Sequence, residues 1–235
     1  MILNNLKEFV QICKGCVEYL FNTQDKNTYG GPFNNQKIRQ EIFTGLLENF
    51  RFDEIIETGT YYGNTTEYMF KTSKLIVRTI ELNPRKYGFA MARLFKYPKI
   101  KTYRGSSDVI LTNLCKQPGI QQKQVFFYLD AHRNGKLILI EEIKLILSNI
   151  KQAVVMIDDF KVPGFPDYGY DKYPSGEILD LEYLSPLSNL GLQLFFPTVG
   201  PKNETGKKRG CVVLTLNKEY SEKLQSLSTL KAYSY

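Results

Sequence analysis

Apolar residues fall at Leu3, Leu6, Val10, Cys13, Val17 and Leu20, a spacing of three and four that predicts an amphipathic helix at the start of the chain. The stretch 23–36, TQDKNTYGGPFNNQ, is polar and rich in Gly and Asn and reads as a loop. Residues 38–49 return to helical spacing. These two helices precede the first strong strand and read as an N-terminal helical cap over residues 1–50, ahead of a domain spanning 51–235. From residue 53 the pattern changes. Short β-branched runs at 54–56, 75–80, 100–103, 125–129 and 154–157 alternate with helical stretches at 65–71, 84–95, 107–116 and 137–150. That alternation predicts βαβ units and an α/β fold with helices on both faces of a mostly parallel sheet. The uninterrupted apolar runs VFFYL and AVVMI suit strands buried on both sides.

The end of the chain departs from this rhythm. Runs at 192–196 and 211–216 flank TVGPKNETGKKRG, where no helix fits, so they are expected to pair as an antiparallel hairpin. The connection carries Lys202, Lys207, Lys208 and Arg209 and reads as a mobile basic loop.

Composition narrows the function classes. The 235 residues are 43% hydrophobic and 23% charged, which suits a folded domain and excludes a disordered chain. Thirty-one Lys and Arg against 24 Asp and Glu leave a net charge of +7. Such an excess favours anions, and a solvated basic surface accounts for it equally well. No apolar run approaches the ~20 residues of a membrane helix. The start has early charges and no cleavage pattern of a signal peptide. Cys13 and Cys16 form a lone C-x-x-C, with Cys115 and Cys211 far off, so a reduced cytoplasmic protein is expected rather than a zinc or disulfide framework.

The segment IIETGTYYGNTTEYM, 55–69, places a strand end at Glu57, a turn with Gly59 and Gly63, and a helix start near Thr65. Open α/β sheets bind ligands at the carboxyl ends of their strands. The pattern lacks the third Gly of a dinucleotide fingerprint and the Lys of a P-loop. An ordinary strand–helix turn would look similar. The next strand ends in RTIELNP, about 20 residues on, and Glu81 there can accept two hydrogen bonds from a ribose diol. Ser106, Ser107 and Asp108, after the third strand, suit either adenine contacts or a helix cap.

Together ETGTYYG, IELNP and FYLDAH resemble the Rossmann-like S-adenosylmethionine-dependent methyltransferases over roughly residues 50–216. The resemblance implies a seven-stranded sheet with an antiparallel last strand. It implies that Glu57, Gly59 and Gly63, with Thr58, Thr60, Tyr61 and Thr65 of the same turn, line the amino-acid part of the cofactor. Glu81 would hold the ribose, and Ser107, Asp108 and Asp130 would complete the cofactor site.

A third constellation is acidic. Asp130 ends one strand, and Asp158 and Asp159 end the next, so adjacent parallel strands bring the three carboxylates together. Clustered carboxylates repel, and a divalent cation, Mg²⁺ before Ca²⁺ or Mn²⁺, relieves that. The alternative is Asp158 as a helix cap with Asp159 in solvent. The arrangement resembles the metal-dependent macrocin O-methyltransferase-like group. That resemblance places a general base two residues after the first Asp, at His132, where the group often has Asp. Asp130 and Asp158 are the other candidate catalytic residues.

FYLDAH stands where methyltransferases acting on base amino groups carry a Pro-Pro tetrapeptide, which weighs against a nucleic-acid substrate. The stretch 160–176 follows the Asp pair as a long loop, and its Phe165, Tyr168, Tyr170 and Tyr173 suit stacking on an acceptor or plain packing. The expected function is an S-adenosylmethionine-dependent O-methyltransferase, metal-assisted, acting on a hydroxyl of a small molecule or glycan. A non-methylating enzyme on the same fold, of the cephalosporin hydroxylase-like kind, and a basic RNA-binding module stay open. So does a homo-oligomer.

Overall fold

A computed structural model describes residues 2–21, 31–131 and 137–233. The elements run α1 (Ile2–Phe21), α2 (Lys37–Asn49), β1 (Glu54–Thr58), α3 (Asn64–Ser73), β2 (Ile76–Glu81), α4 (Pro84–Leu94), β3 (Ile100–Arg104) and α5 (Ser107–Cys115). They continue as β4 (Val125–Leu129), α6 (Leu139–Asn149), β5 (Ala153–Asp158), β6 (Gln193–Pro197), β7 (Cys211–Thr215), α7 (Lys218–Gln225) and β8 (Leu230–Tyr233). The strands form one sheet in the order β3-β2-β1-β4-β5-β7-β6-β8. The first five are parallel, β7 runs antiparallel between β5 and β6, and β8 pairs antiparallel with β6. The terminal hairpin forms as expected, with Gln193 opposite Thr215.

The expected sheet of seven strands has an eighth. Its sequence, LKAY, is four residues long with Lys231 and Ala232 exposed, so it carries no apolar run; pairing with β6 makes it a strand. The preceding helix α7 escapes the periodicity reading too, although Asn217 caps it by accepting the Tyr220 N–H.

Side chains of successive strand residues point to opposite faces. Phe127, Leu129, Val155 and Ile157 join α5 and α6 in one core. Phe126, Tyr128, Val154 and Met156 join α2, α3, α4 and α7 in the other. Within that second core α2 buries Ile42, Phe43 and Leu46, and the Phe43 ring lies 5.6 Å from that of Phe126. Helix α1 packs along α4 instead. Its packed side carries Ile12, Gly15, Cys16 and Tyr19, while Leu6, Val10, Val17 and Leu20 of the apolar stripe are exposed. Tyr19 sets its ring edge-on to Phe89 of α4 at 5.3 Å. Among the described residues no helix is long and apolar enough to cross a membrane, and the four cysteines are free thiols.

Candidate functional site

In this strand order the chain leaves β1 toward β2 and β3 on one side and returns to β4 on the other. The loops after β1 and β4 therefore diverge, and a crevice opens between them, the place where doubly wound sheets bind ligands. A pocket of about 950 Å³ lies there, and all five parallel strands deliver residues to it: Gly59 after β1, Glu81 from β2, Ser107 after β3, Asp130 after β4 and Asp159 after β5.

The β1 turn is held from below. Gly59 N–H donates to the Ile80 carbonyl at 3.0 Å, and Asp130 N–H to the Thr58 carbonyl at 3.0 Å. Gly59 has φ +89°, and a Cβ there would stand 2.3 Å from the Asp130 carbonyl oxygen, so only glycine fits this close approach of the two loops. Thr60, Tyr61 and Thr65 also line the pocket. Glu57, Thr58 and Gly63 sit behind that lining. Glu57 is fully buried and accepts hydrogen bonds from the hydroxyls of Thr66 and Thr79, the latter at 2.6 Å. Burial outweighs those bonds and pushes its carboxyl up to about 7. Its Oε1 is buried with no hydrogen-bond partner among the described residues.

Glu81 stands at the pocket wall with each oxygen accepting one backbone N–H, from Tyr61 and from Asn83, both at 2.7 Å. Each oxygen keeps a second lone pair for a ligand hydroxyl. Burial raises its proton affinity, and those N–H groups with the charges of Lys86 and Arg104 counter it. Asn83 then caps α4 through the Arg85 and Lys86 N–H groups, with Pro84 in the first turn. Lys86 reaches back over the Tyr61 ring at 4.1 Å. Ser107 lines the pocket, and its buried Oγ has no hydrogen-bond partner among the described residues. Asp108 lies in the first turn of α5, outside the pocket wall. Four orphaned or half-used polar groups around an open pocket, a glycine cradle and a carboxylate at the second strand fit a nucleoside-bearing ligand.

The far end of the pocket is acidic, and two of the three carboxylates expected there line it. Asp130 and Asp159 line the wall. Removal from water and the charge of Asp159 push the Asp130 carboxyl well above the usual carboxylate range, against the pull of Arg39. Asp158 does not reach the pocket. It is fully buried, ion-paired with Arg39, and accepts the Tyr128 hydroxyl and the Asp159 N–H. Asp159 is ion-paired with Arg209. A divalent cation needs open oxygen ligands, and Asp158, enclosed by Arg39, Tyr128 and the Asp159 N–H, offers none. Among the described residues no three His, Cys, Asp or Glu side chains are grouped to hold a metal ion. His132 lies outside the described residues.

The expected basic loop is tied down at several points. Lys207 N–H donates to the Asn34 carbonyl at 3.1 Å, and the Thr205 hydroxyl to the Asn35 carbonyl at 2.6 Å. Gln36 clasps the Arg209 backbone on both sides, at 2.7 and 3.0 Å. Asn34 and Lys207 thereby enter the pocket wall. Sequence reading missed Asn34, Gln36, Arg39, Asp171 and Arg209. One signal was present: Arg39 interrupts the stripe Ile38, Ile42, Phe43, Leu46, where a charge is out of place unless paired. Rings of 160–176 pack against the body of the protein. Tyr168 is buried with its hydroxyl on the Val199 carbonyl at 3.1 Å, and Phe165 and Tyr173 pack against the core.

No protein-family model and no curated protein matches the sequence. Solved structures match its fold. An O-methyltransferase from Streptomyces achromogenes involved in tomaymycin synthesis, solved with S-adenosylmethionine, is 16% identical with a TM-score of 0.53, over 88% of this chain and 89% of that one. A methyltransferase from Podospora anserina bound to S-adenosylhomocysteine is 16% identical at 0.52, over 86% and 87%. An O-methyltransferase from Bacillus cereus in complex with S-adenosylhomocysteine is 13% identical at 0.52, over 88% and 90%. This chain shares its fold with these solved methyltransferases.

Proposed function

We propose that the chain is an S-adenosylmethionine-dependent O-methyltransferase acting on a hydroxyl of a small molecule or sugar. The observation that carries this reading is the convergence of five strand ends on one pocket, with Glu81 at the second strand and the Gly59–Asp130 approach at the switch point. Fold neighbours solved with S-adenosylmethionine or S-adenosylhomocysteine support it.

Bound in the crevice, S-adenosylmethionine supplies an electrophilic methyl group. Glu81 receives the ribose hydroxyls on its free lone pairs. Ser107 Oγ donates or accepts at the base end. The β1 turn, 57–65, surrounds the amino-acid end. The acceptor enters from the side of Asn34, Asp159 and Lys207. Asp130 stands between the two, and its raised proton affinity suits it to take the hydroxyl proton on a carboxylate oxygen. His132, two residues later, is the second candidate for that role. Holding donor and acceptor in line supplies much of the rate.

The test is formation of S-adenosylhomocysteine with a panel of hydroxylated acceptors. Cofactor binding without product across that panel, in line with a non-methylating enzyme on this fold, would overturn the reaction but not the site. With an acceptor in hand, single-turnover rates assign the base. A loss of ~10²–10⁴-fold in Asp130→Asn, with His132→Ala within threefold of wild type, gives the role to Asp130; the reverse gives it to His132.

A further inference from the structure

Four carboxylates, Asp130, Asp158, Asp159 and Asp171, gather at the acceptor end, and two guanidiniums pair with the last three. Arg39 is as buried as Asp158, at 1% and 0% side-chain exposure. Beyond that ion pair it donates to the carbonyls of Arg209 and Gly210, the latter at 2.9 Å. Both Asp158 oxygens are taken: one by Arg39 and the Asp159 N–H at 2.6 Å, the other by the Tyr128 hydroxyl, with Asn34 Nδ2 at 3.5 Å. Arg209 forks, its Nε to Asp159 and its Nη2 to Asp171. Asp171 is on the loop after β5, so this fork also closes that loop onto the strand end. Its backbone is fixed in turn by Gln36, which binds the Arg209 N–H and carbonyl.

The charges decide between the two ways of neutralising this cluster. The guanidiniums carry +2 together, the charge a divalent cation would bring. A cation on Asp158 would have to expel Arg39 from a site closed to water, leaving a buried guanidinium without its counter-charge. A cation on Asp159 would compete with a forked guanidinium whose geometry matches two carboxylates. Placed beside both arginines, it would face their repulsion as well.

We propose that Arg39 and Arg209 take the place of a divalent cation at the acceptor end, so that this pocket works without a bound metal. For its consequence in catalysis this rests on the methyltransferase reading; the binding prediction stands apart from it.

Manganese titration followed by electron paramagnetic resonance tests it on the full chain at pH 7.5. Wild type should bind no Mn²⁺ more tightly than about 1 mM at this site. Arg209→Gln, which frees Asp159 and Asp171, should gain at least tenfold in Mn²⁺ affinity, and Arg209→Gln with Asp159→Asn should lose that gain. One Mn²⁺ per wild-type chain at micromolar affinity, abolished by Asp159→Asn, would overturn the proposal. So would an Arg209→Gln protein that folds and gains nothing. The wild-type titration decides the matter even where Arg209→Gln does not fold. Calorimetry with S-adenosylmethionine on the same samples separates the two readings. Failure to bind it breaks the proposed function and leaves the manganese result standing.

Discussion

At the Glu81 end of the pocket, carboxylates meet backbone N–H groups and hydroxyls; at the Asp159 end, under the proposed function the acceptor end, they meet guanidiniums. Glu81 is braced by the N–H groups of Tyr61 and Asn83, and Glu57 by Thr66 and Thr79. Asp158 and Asp159 are braced by Arg39 and Arg209. The first arrangement leaves lone pairs open and proton affinity raised, which suits a surface that binds neutral hydroxyls. The second encloses both Asp158 oxygens and locks two distant chain segments together, 36–39 against 209–210. One end is therefore built to receive a ligand, and the other to hold a wall in place. Where one partner is lost, the ends should respond differently: the Glu81 end in affinity, the Asp159 end in stability.

The largest effect is expected at Arg39. Replacing it with Met leaves Asp158 charged, buried and unpaired, which costs about 3–5 kcal/mol of folding stability in urea titrations. Arg39→Met with Asp158→Asn removes the stranded charge and should recover more than half of that loss. A single-variant cost below about 1 kcal/mol would mean the buried pair contributes little, and the contrast between the two ends would fail.

Glu57 gives the next effect, read in pH. Its folded-state carboxyl is raised from the ordinary value near 4.5 to about 7, chiefly by burial. The folded state then holds the proton more tightly than the unfolded chain does. Stability should fall as pH rises through the window from about 4.5 to 7 and level off above it, a loss of at most about 3 kcal/mol. Glu57→Gln should flatten that part of the pH profile relative to wild type. An unchanged slope in the variant would show that Glu57 ionises freely.

These two sites also mark what the sequence could and could not tell. Glu57, Gly59, Glu81 and Asp130 were legible because each ends a strand, and strand ends in a parallel sheet share one edge whatever the helices do. The parallel order and the antiparallel hairpin followed from the same regularity. The pairings of Arg39 and Arg209 were not legible. They join residues from 38 to 171 positions apart through side chains, and no local period encodes which carboxylate a guanidinium will find. Three aspartates were expected to meet at one edge, where Asp130 and Asp159 line the pocket and Asp158 lies behind it, and a cation was assigned from their mutual repulsion. What that argument lacked was the helix that brings Arg39 to the same point. β8 was missed for a related reason, because its pairing with β6, not its own four residues, makes it a strand.

The smallest effect expected is at Glu81, and it bears most directly on the ligand. Glu81→Ala removes an acceptor that a ribose diol would engage, and charge-assisted bonds of this kind are worth ~1.5–3 kcal/mol each. The alanine variant also frees the Tyr61 and Asn83 N–H groups, so some of its loss reflects a relaxed turn rather than a missing contact. Glu81→Gln separates the two contributions. Its amide keeps one oxygen for a backbone N–H or a ribose hydroxyl and places an NH₂ where the other oxygen stood, so it should fall between wild type and alanine in affinity for S-adenosylmethionine. Calorimetry should show about tenfold to hundredfold weakening for alanine and a smaller loss for glutamine, with urea stability changed by less than in Arg39→Met. Equal affinity in all three folded proteins would take Glu81 out of the ligand's reach and leave it as a brace for the β1 turn. A stability loss matching that of Arg39→Met would erase the distinction between an end that binds and an end that holds.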